Sequence, residues 1–194
     1  MVRAIGIIKR IYENRGFEIA EMKADLEFSC VTNEILPTVL DLVAADDHVG
    51  EVERSNQTVK ADLRTLTQSL PFTRWPKLLV EEGIRSVILS RNQFAAPDGV
   101  SKSLSPLTIV TGTPPPDYSK MGLEFGSYVQ VFNDNEPTNT LAPRTKGAIA
   151  LTSVGNSKGD YTFMSLDTGP KLVRHQWTVL LMPSSVINQV TQLA

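Results

Sequence analysis

The sequence predicts an α/β chain in two parts, with helices and short strands alternating over residues 1–112 and β-type runs filling residues 113–194. Three observations carry this. Apolar residues recur at helical spacing in several segments before residue 112. A Pro-rich connector, TPPPDYSK, follows it, and short apolar runs punctuated by Gly and Asn come after. At 194 residues and 41% hydrophobic content, the chain has room for one large domain or two small ones with a real core.

Taken in order, Val2, Ile5, Ile8 (with Ile7), Ile11 and Tyr12 repeat at three and four, which predicts a helix over 2–15 closed by Gly16. FEIAEMKAD is short and ends in Asp25, as a strand would. SCVTNEIL reads as a helix stopped by Pro37, and TVLDLVAA as a strand. After the polar loop DDHVG, residues 51–68 form a helix with Val52, Val59, Leu63 and Leu66 within one arc facing the core. A buried helix follows Pro76, carrying Leu78, Leu79, Ile84, Val87, Ile88 and Leu89. LSPLTIVTG makes one more short helix with Pro106 in its first turn. Beyond a boundary near residue 113, EFGSYVQVF, GAIALTSV, DYTFMSL and KLVRHQWTVL predict a small antiparallel sheet or barrel, with GNSKGD and DTGP as turns.

Charge and rare residues narrow the function. Nineteen Lys and Arg nearly balance 21 Asp and Glu, so no global positive field marks a nucleic-acid binder, and such contacts must come from local patches. Cys30 is the single cysteine, which excludes an intramolecular disulfide, and with only His48 and His175 a zinc knuckle is not expected. Arg3, Lys9 and Arg10 interrupt the first apolar stripe, so it reads as neither signal peptide nor membrane span, and the expectation is a soluble, intracellular protein.

The helix over 51–68 carries a second, polar face. At 100° per residue, Asn56, Gln57, Lys60 and Arg64 all lie within about 60° of Glu53. By periodicity alone this is a solvated face with Glu and Lys in mutual support. Asp25 changes the reading. A strand-end carboxylate, a helix, a second strand, and then a helix bearing a carboxylate in its first turn is the order found in RNase H-like nucleases and transferases. Hard divalent ions in such sites are held by carboxylates on rigid strand and helix ends.

D-x-E-F at Asp25, Glu27 and Phe28, followed by H-V-G-E-V-E-R-S-N-Q-T-V-K at 48–60, resembles the catalytic core of retroelement integrases, closest to the copia type of retrotransposon. S-P-L-T-I-V-T-G at 105–112 and the runs between Arg144 and Leu180 resemble the segment that follows that core in copia-type polyproteins. The resemblance covers nearly the whole chain. It implies a truncated RNase H-like integrase core over 1–112 and an SH3-like or hairpin β module over 113–194.

By the same resemblance, Asp25 is the second and Glu53 the third carboxylate of a catalytic triad, both ligands of Mg²⁺ or Mn²⁺. Asn56 and Lys60 match positions that face DNA, and Arg64 extends their stripe. Arg54 completes an E-R pair, with a structural role as open to it as a DNA contact. The implied activity is polynucleotidyl transfer, integrating retroelement ends into target DNA in the nucleus, with homo-oligomer formation a further expectation. The family's first carboxylate sits on a strand that would precede Met1, so the triad is expected to be incomplete and the chain inactive alone. L-E-F-S-C also replaces the usual Gly-rich turn after Asp25. The alternative is a non-catalytic nucleic-acid-binding or assembly module of a degenerate retroelement.

Other motifs take plainer readings. Asp167-Thr168-Gly169 matches the aspartic protease tripeptide, but between two β-type runs it reads as a hairpin turn. His48 is expected in a loop and His175 in a strand; Cys30 is expected to be packed, and Tyr161, Phe163 and Trp177 to pack the β module, with stacking on nucleic acid the alternative for an exposed aromatic beside Arg174.

Overall fold

The computed structural model describes residues 2–43, 50–97, 99–115, 117–133, 141, 143–156 and 158–194. The loop expected over 46–50 therefore lies mostly outside the described residues, His48 with it, as do the last residues of TVLDLVAA. Contacts between Cα atoms divide the chain into two units, Met1–Lys60 with Arg91–Pro115, and Ala61–Ser90 with Pro116–Ala194. The expected boundary near 113 falls beside the last of these crossings. Residues 61–90, placed with the first part by sequence order, group with the β module.

In the first unit, helix α1 (Val2–Glu13) ends in a turn where Gly16 takes a φ of +78°. Strands β1 (Glu21–Asp25) and β2 (Val39–Val43) pair in parallel, with Glu21 opposite Val39 and Asp25 opposite Val43. Between them Leu26–Glu34 winds as a 3₁₀ run rather than the expected α-helix. Ser29, Cys30, Val31 and Thr32 are weak helix formers. Two of them turn back locally: Thr32 Oγ1 donates to the Ser29 carbonyl at 2.9 Å and Cys30 Sγ to that of Glu27 at 3.6 Å. The buried Thr38, just ahead of β2, donates to the carbonyl of Ile19, just ahead of β1, at 2.8 Å, and Lys9 Nζ donates to that of Ile35 at 3.1 Å, which ties α1 to the crossover.

The core of this unit is small: Ile5, Val31 and Ile35, with Val2, Met22, Phe28 and Leu40 packed around them. Ile7, Ile8 and Ile11, expected on the buried stripe, are exposed. Cys30 is exposed as well, contrary to the packed position expected of it. Helix α2 (Gly50–Ser69) begins in this unit, and its predicted inner arc is only half covered, since Val52 is exposed and Val59 is partly so. Helix α4 (Pro106–Thr111) is capped by Ser105, which accepts from the Thr108 amide at 3.2 Å, with Pro106 in its first turn.

The second unit is built on a five-stranded antiparallel sheet in the order β6-β5-β4-β3-β7. These are β3 (Tyr128–Phe132), β4 (Thr145–Ser153), β5 (Tyr161–Ser165), β6 (Lys171–Arg174) and β7 (Trp177–Val179), a meander whose last strand returns to pair with its first. The run KLVRHQWTVL is thus two strands, and His175 lies exposed in the bend between them rather than in a strand. Asp167-Thr168-Gly169 closes the β5–β6 hairpin, where the Gly169 amide donates to the Ser165 carbonyl at 3.0 Å.

Both faces of the sheet are buried. One presents Ile149, Leu151, Met164 and Leu166 to Phe72, to Leu79 of helix α3 (Lys77–Gln93), and to Val186 and Val190 of helix α5 (Ser184–Gln192). The other gathers Val129, Val131, Ala148, Ala150, Tyr161 and Phe163, with Leu123, Leu172 and Trp177. Period-2 alternation accounts for the division, since Ile149 pairs with Met164 and Ala150 with Phe163. On α3, Leu79 and Val87 are buried as expected, but Ile84 and Ile88 are exposed.

Candidate functional site

Asp25 is the last residue of β1, placed there by the parallel pairing that sets it across from Val43. Its backbone caps the 3₁₀ run with φ −69° and ψ 159°, and its carboxylate makes no capping hydrogen bond. The side chain is exposed. Glu53 lies in the first turn of α2, also exposed, in a position where the helix dipole favours a negative charge. Asn56 and Lys60 follow on the same helix face, both exposed. Asp25, Glu53, Asn56 and Lys60 belong to the first unit, whereas Arg64, one turn further, falls in the part of α2 grouped with the second. Arg54 is exposed, and its carbonyl accepts from Thr58 Oγ1 at 2.8 Å.

Chemically this is a strand-end carboxylate and a helix-start carboxylate in one unit, with an amide and an ammonium further along the helix. Hard oxygen donors of this kind suit Mg²⁺ or Mn²⁺. Among the described residues, no three His, Cys, Asp or Glu side chains converge as a metal site. Asp46, Asp47 and His48 lie outside that description.

The second unit holds two clusters that the sequence reading did not assemble. Glu82, only 4% exposed on α3, receives Lys171 Nζ at 2.8 Å and Thr152 Oγ1 at 3.4 Å, with Arg85 Nε at 3.6 Å. An acid three residues beyond Leu79, on the inward side of a buried helix, was its one visible sign. The other is a cleft where Lys120, Lys158, His175 and Trp177 meet. Beside it, the Ser119 hydroxyl, then its amide and Lys120, hold the Asp117 carboxyl below the usual range. Burial pushes the Tyr161 phenol up, against the amide of Leu123 that donates to it at 3.3 Å.

No protein-family model matches the chain, and no curated protein matches it significantly. Among the described residues, no helix is long and apolar enough to cross a membrane.

Proposed function

We propose that residues 1–194 are part of a copia-type retroelement integrase, a portion of an RNase H-like core followed by an SH3-like β module, serving DNA integration in the nucleus. The observation that carries this reading is Asp25 at the end of one strand of a parallel pair, with Glu53 opening the helix after the second strand. The meander whose last strand returns beside its first supports the SH3-like assignment.

Asp25 and Glu53 would hold the divalent ion, and Mg²⁺ or Mn²⁺ bound there supplies charge neutralisation and polarises a phosphoryl oxygen. Lys60 places its ammonium two turns along α2, where it contacts a DNA phosphate and positions the backbone without reading sequence. Asn56, between them, offers an amide that donates to phosphate or sugar oxygens of retroelement ends or target DNA. Arg64 adds positive charge further along the same helix. Homo-oligomers would bring paired DNA ends together.

The reaction calls for three carboxylates and the resemblance places two of them within residues 1–194, so strand transfer by this chain alone is expected to be undetectable. Its test is metal binding. Calorimetry with Mn²⁺ should register weak binding that Asp25→Asn or Glu53→Gln abolishes; retention of the full signal in both variants rules the reading out.

A second reading, a non-catalytic nucleic-acid-binding or assembly module, is favoured by the lack of a three-ligand cluster among the described residues. Gel shift without metal at two salt concentrations separates them. Under the second reading binding needs no metal, and Lys60→Ala lowers the slope of log affinity against log salt by about 1.

A further inference from the structure

The cleft in the β module has a volume of about 340 Å³. Trp177 forms part of its wall, half-buried and wedged against Tyr161 and Phe163 with ring centroids 5.0 and 5.6 Å away, so the indole is held in one orientation. Ser119, Lys120, Gly122 and Leu123 also line the cleft, from a segment fastened to the sheet where Tyr161 Oη accepts the Leu123 amide. From that segment Lys120 lays its aliphatic stem against Gly159, where an added Cβ would stand 3.3 Å from the lysine Cδ. Gly159 is buried and takes a φ of +76°, so the chain bends close under the lysine and delivers Lys158 to the same rim.

Lys120 and Lys158 line the cleft together with Ser119 and His175. Asp117, which accepts from Ser119, lies 3.6 Å from Lys120 Nζ, and Asp160 accepts from the Asn156 side-chain amide at 2.6 Å, so an anion in the cleft shares Lys120 with Asp117. A fixed aromatic wall beside two ammonium groups suits a planar ring carrying an anion. The volume lies at the small end of ligand pockets, which run from about 300 to 1,000 Å³, large for a lone phosphate and small for a dinucleotide.

We propose that this cleft binds a nucleoside monophosphate unit, with the base against Trp177 and the phosphate between Lys120 and Lys158. The proposal does not rest on the integrase reading, because every residue it uses lies within 117–179. The unit is either a free nucleotide or the 5′-phosphorylated end of a single strand.

The test titrates the full chain with adenosine 5′-monophosphate and follows the two indole N–H resonances, with Trp177 assigned by Trp177→Phe. The nucleotide should move the Trp177 signal and leave that of Trp75 in place, while adenosine and inorganic phosphate each bind about tenfold more weakly. The double variant Lys120→Gln/Lys158→Gln should weaken nucleotide binding by about tenfold or more without changing the far-ultraviolet spectrum. Asp25→Asn should change nothing, so failure of the metal site leaves this result intact. Competition by a 5′-phosphorylated oligonucleotide, but not by its unphosphorylated twin, supports the cleft with a strand end as ligand; nucleotide binding without such competition supports it with a free nucleotide. No shift at Trp177, binding equal to that of inorganic phosphate, or full affinity in the double variant overturns the proposal.

Discussion

Gly126 holds a φ of +83°, and its amide donates to the Ala150 carbonyl at 2.8 Å. A Cβ there would collide with the branched end of Leu70, one methyl of which would lie 2.7 Å away. Gly155 has a similar φ of +75° but nothing within 4 Å of the added atom. Both Gly→Ala changes carry the left-handed cost of about 1 kcal/mol, and Gly126→Ala adds about 1–3 kcal/mol of overpacking. Denaturant midpoints at constant m should rank them that way, and equal losses would refute the steric argument. Tyr161, 2% exposed, gives a pH signature. An unfolded tyrosine ionises near pH 10 (about that value in model peptides), whereas burial keeps this phenol protonated in the folded chain. Above that pH the folded state therefore binds more protons than the unfolded state, and stability falls as pH rises. Tyr161→Phe should flatten this alkaline decline, at a cost of about 1 kcal/mol at neutral pH from the orphaned Leu123 amide.

Among the elements, α3 shows where one ion pair decides the packing. Glu82 faces the sheet and meets Lys171 on the edge strand β6. Lys171→Met leaves a buried carboxylate to Thr152 and Arg85, and should cost about 1–3 kcal/mol. Replacing both partners, as Glu82→Leu/Lys171→Met, should recover most of that loss, because a buried pair exchanged for apolar contact is close to neutral. Thermal melts of the two variants check this; a double variant no better than the single one would mean that the pair does more than neutralise its own desolvation. The pattern of elements was largely legible: α1 and α2 follow their apolar periodicity, α3 and α4 the apolar runs after Pro76 and Pro106, β1 its short length and terminal Asp25, and β2 to β5 short apolar runs between turn residues. Helix α5 was not. Its nine residues carry no charge and follow Pro183, and only the i, i+4 pair Val186 and Val190 signals the buried face. The bend at His175 and Gln176 also went unseen, because no Gly or Pro marks it. Periodicity located the isoleucines of α1 on one stripe, but it carries no information about whether another element covers them. For the candidate site, residue types and order could be read from Asp25 and Glu53, whereas convergence on a metal is a property of three-dimensional distance.

Across the molecule, the two units differ in how much they bury. Among the described residues, the first has three buried apolar residues in its core, at 3–7% exposure, while the second packs both faces of a sheet, with Val129, Val131, Ile149, Phe163 and Met164 at 0%. A two-stranded sheet over so small a core resists opening weakly. Hydrogen exchange should therefore find the slowest amides in Tyr128–Phe132, Thr145–Ser153 and Tyr161–Ser165, and much faster exchange in Glu21–Asp25 and Val39–Val43. Equal protection in the two sheets would show that the first unit is stabilised by more than its visible core.

The grouping of residues 61–90 with 116–194 also bears on how the chain is made. Phe72 and Leu79 leave the ribosome long before Ile149, Met164 and Val190, the side chains that will cover them. Until those later residues emerge, Phe72 and Leu79 have no sheet to cover them, and closing so long a loop slows their burial. A fragment ending near residue 113 would keep them permanently bare and should aggregate, and one starting there would lack Leu79 and Phe72 over its sheet.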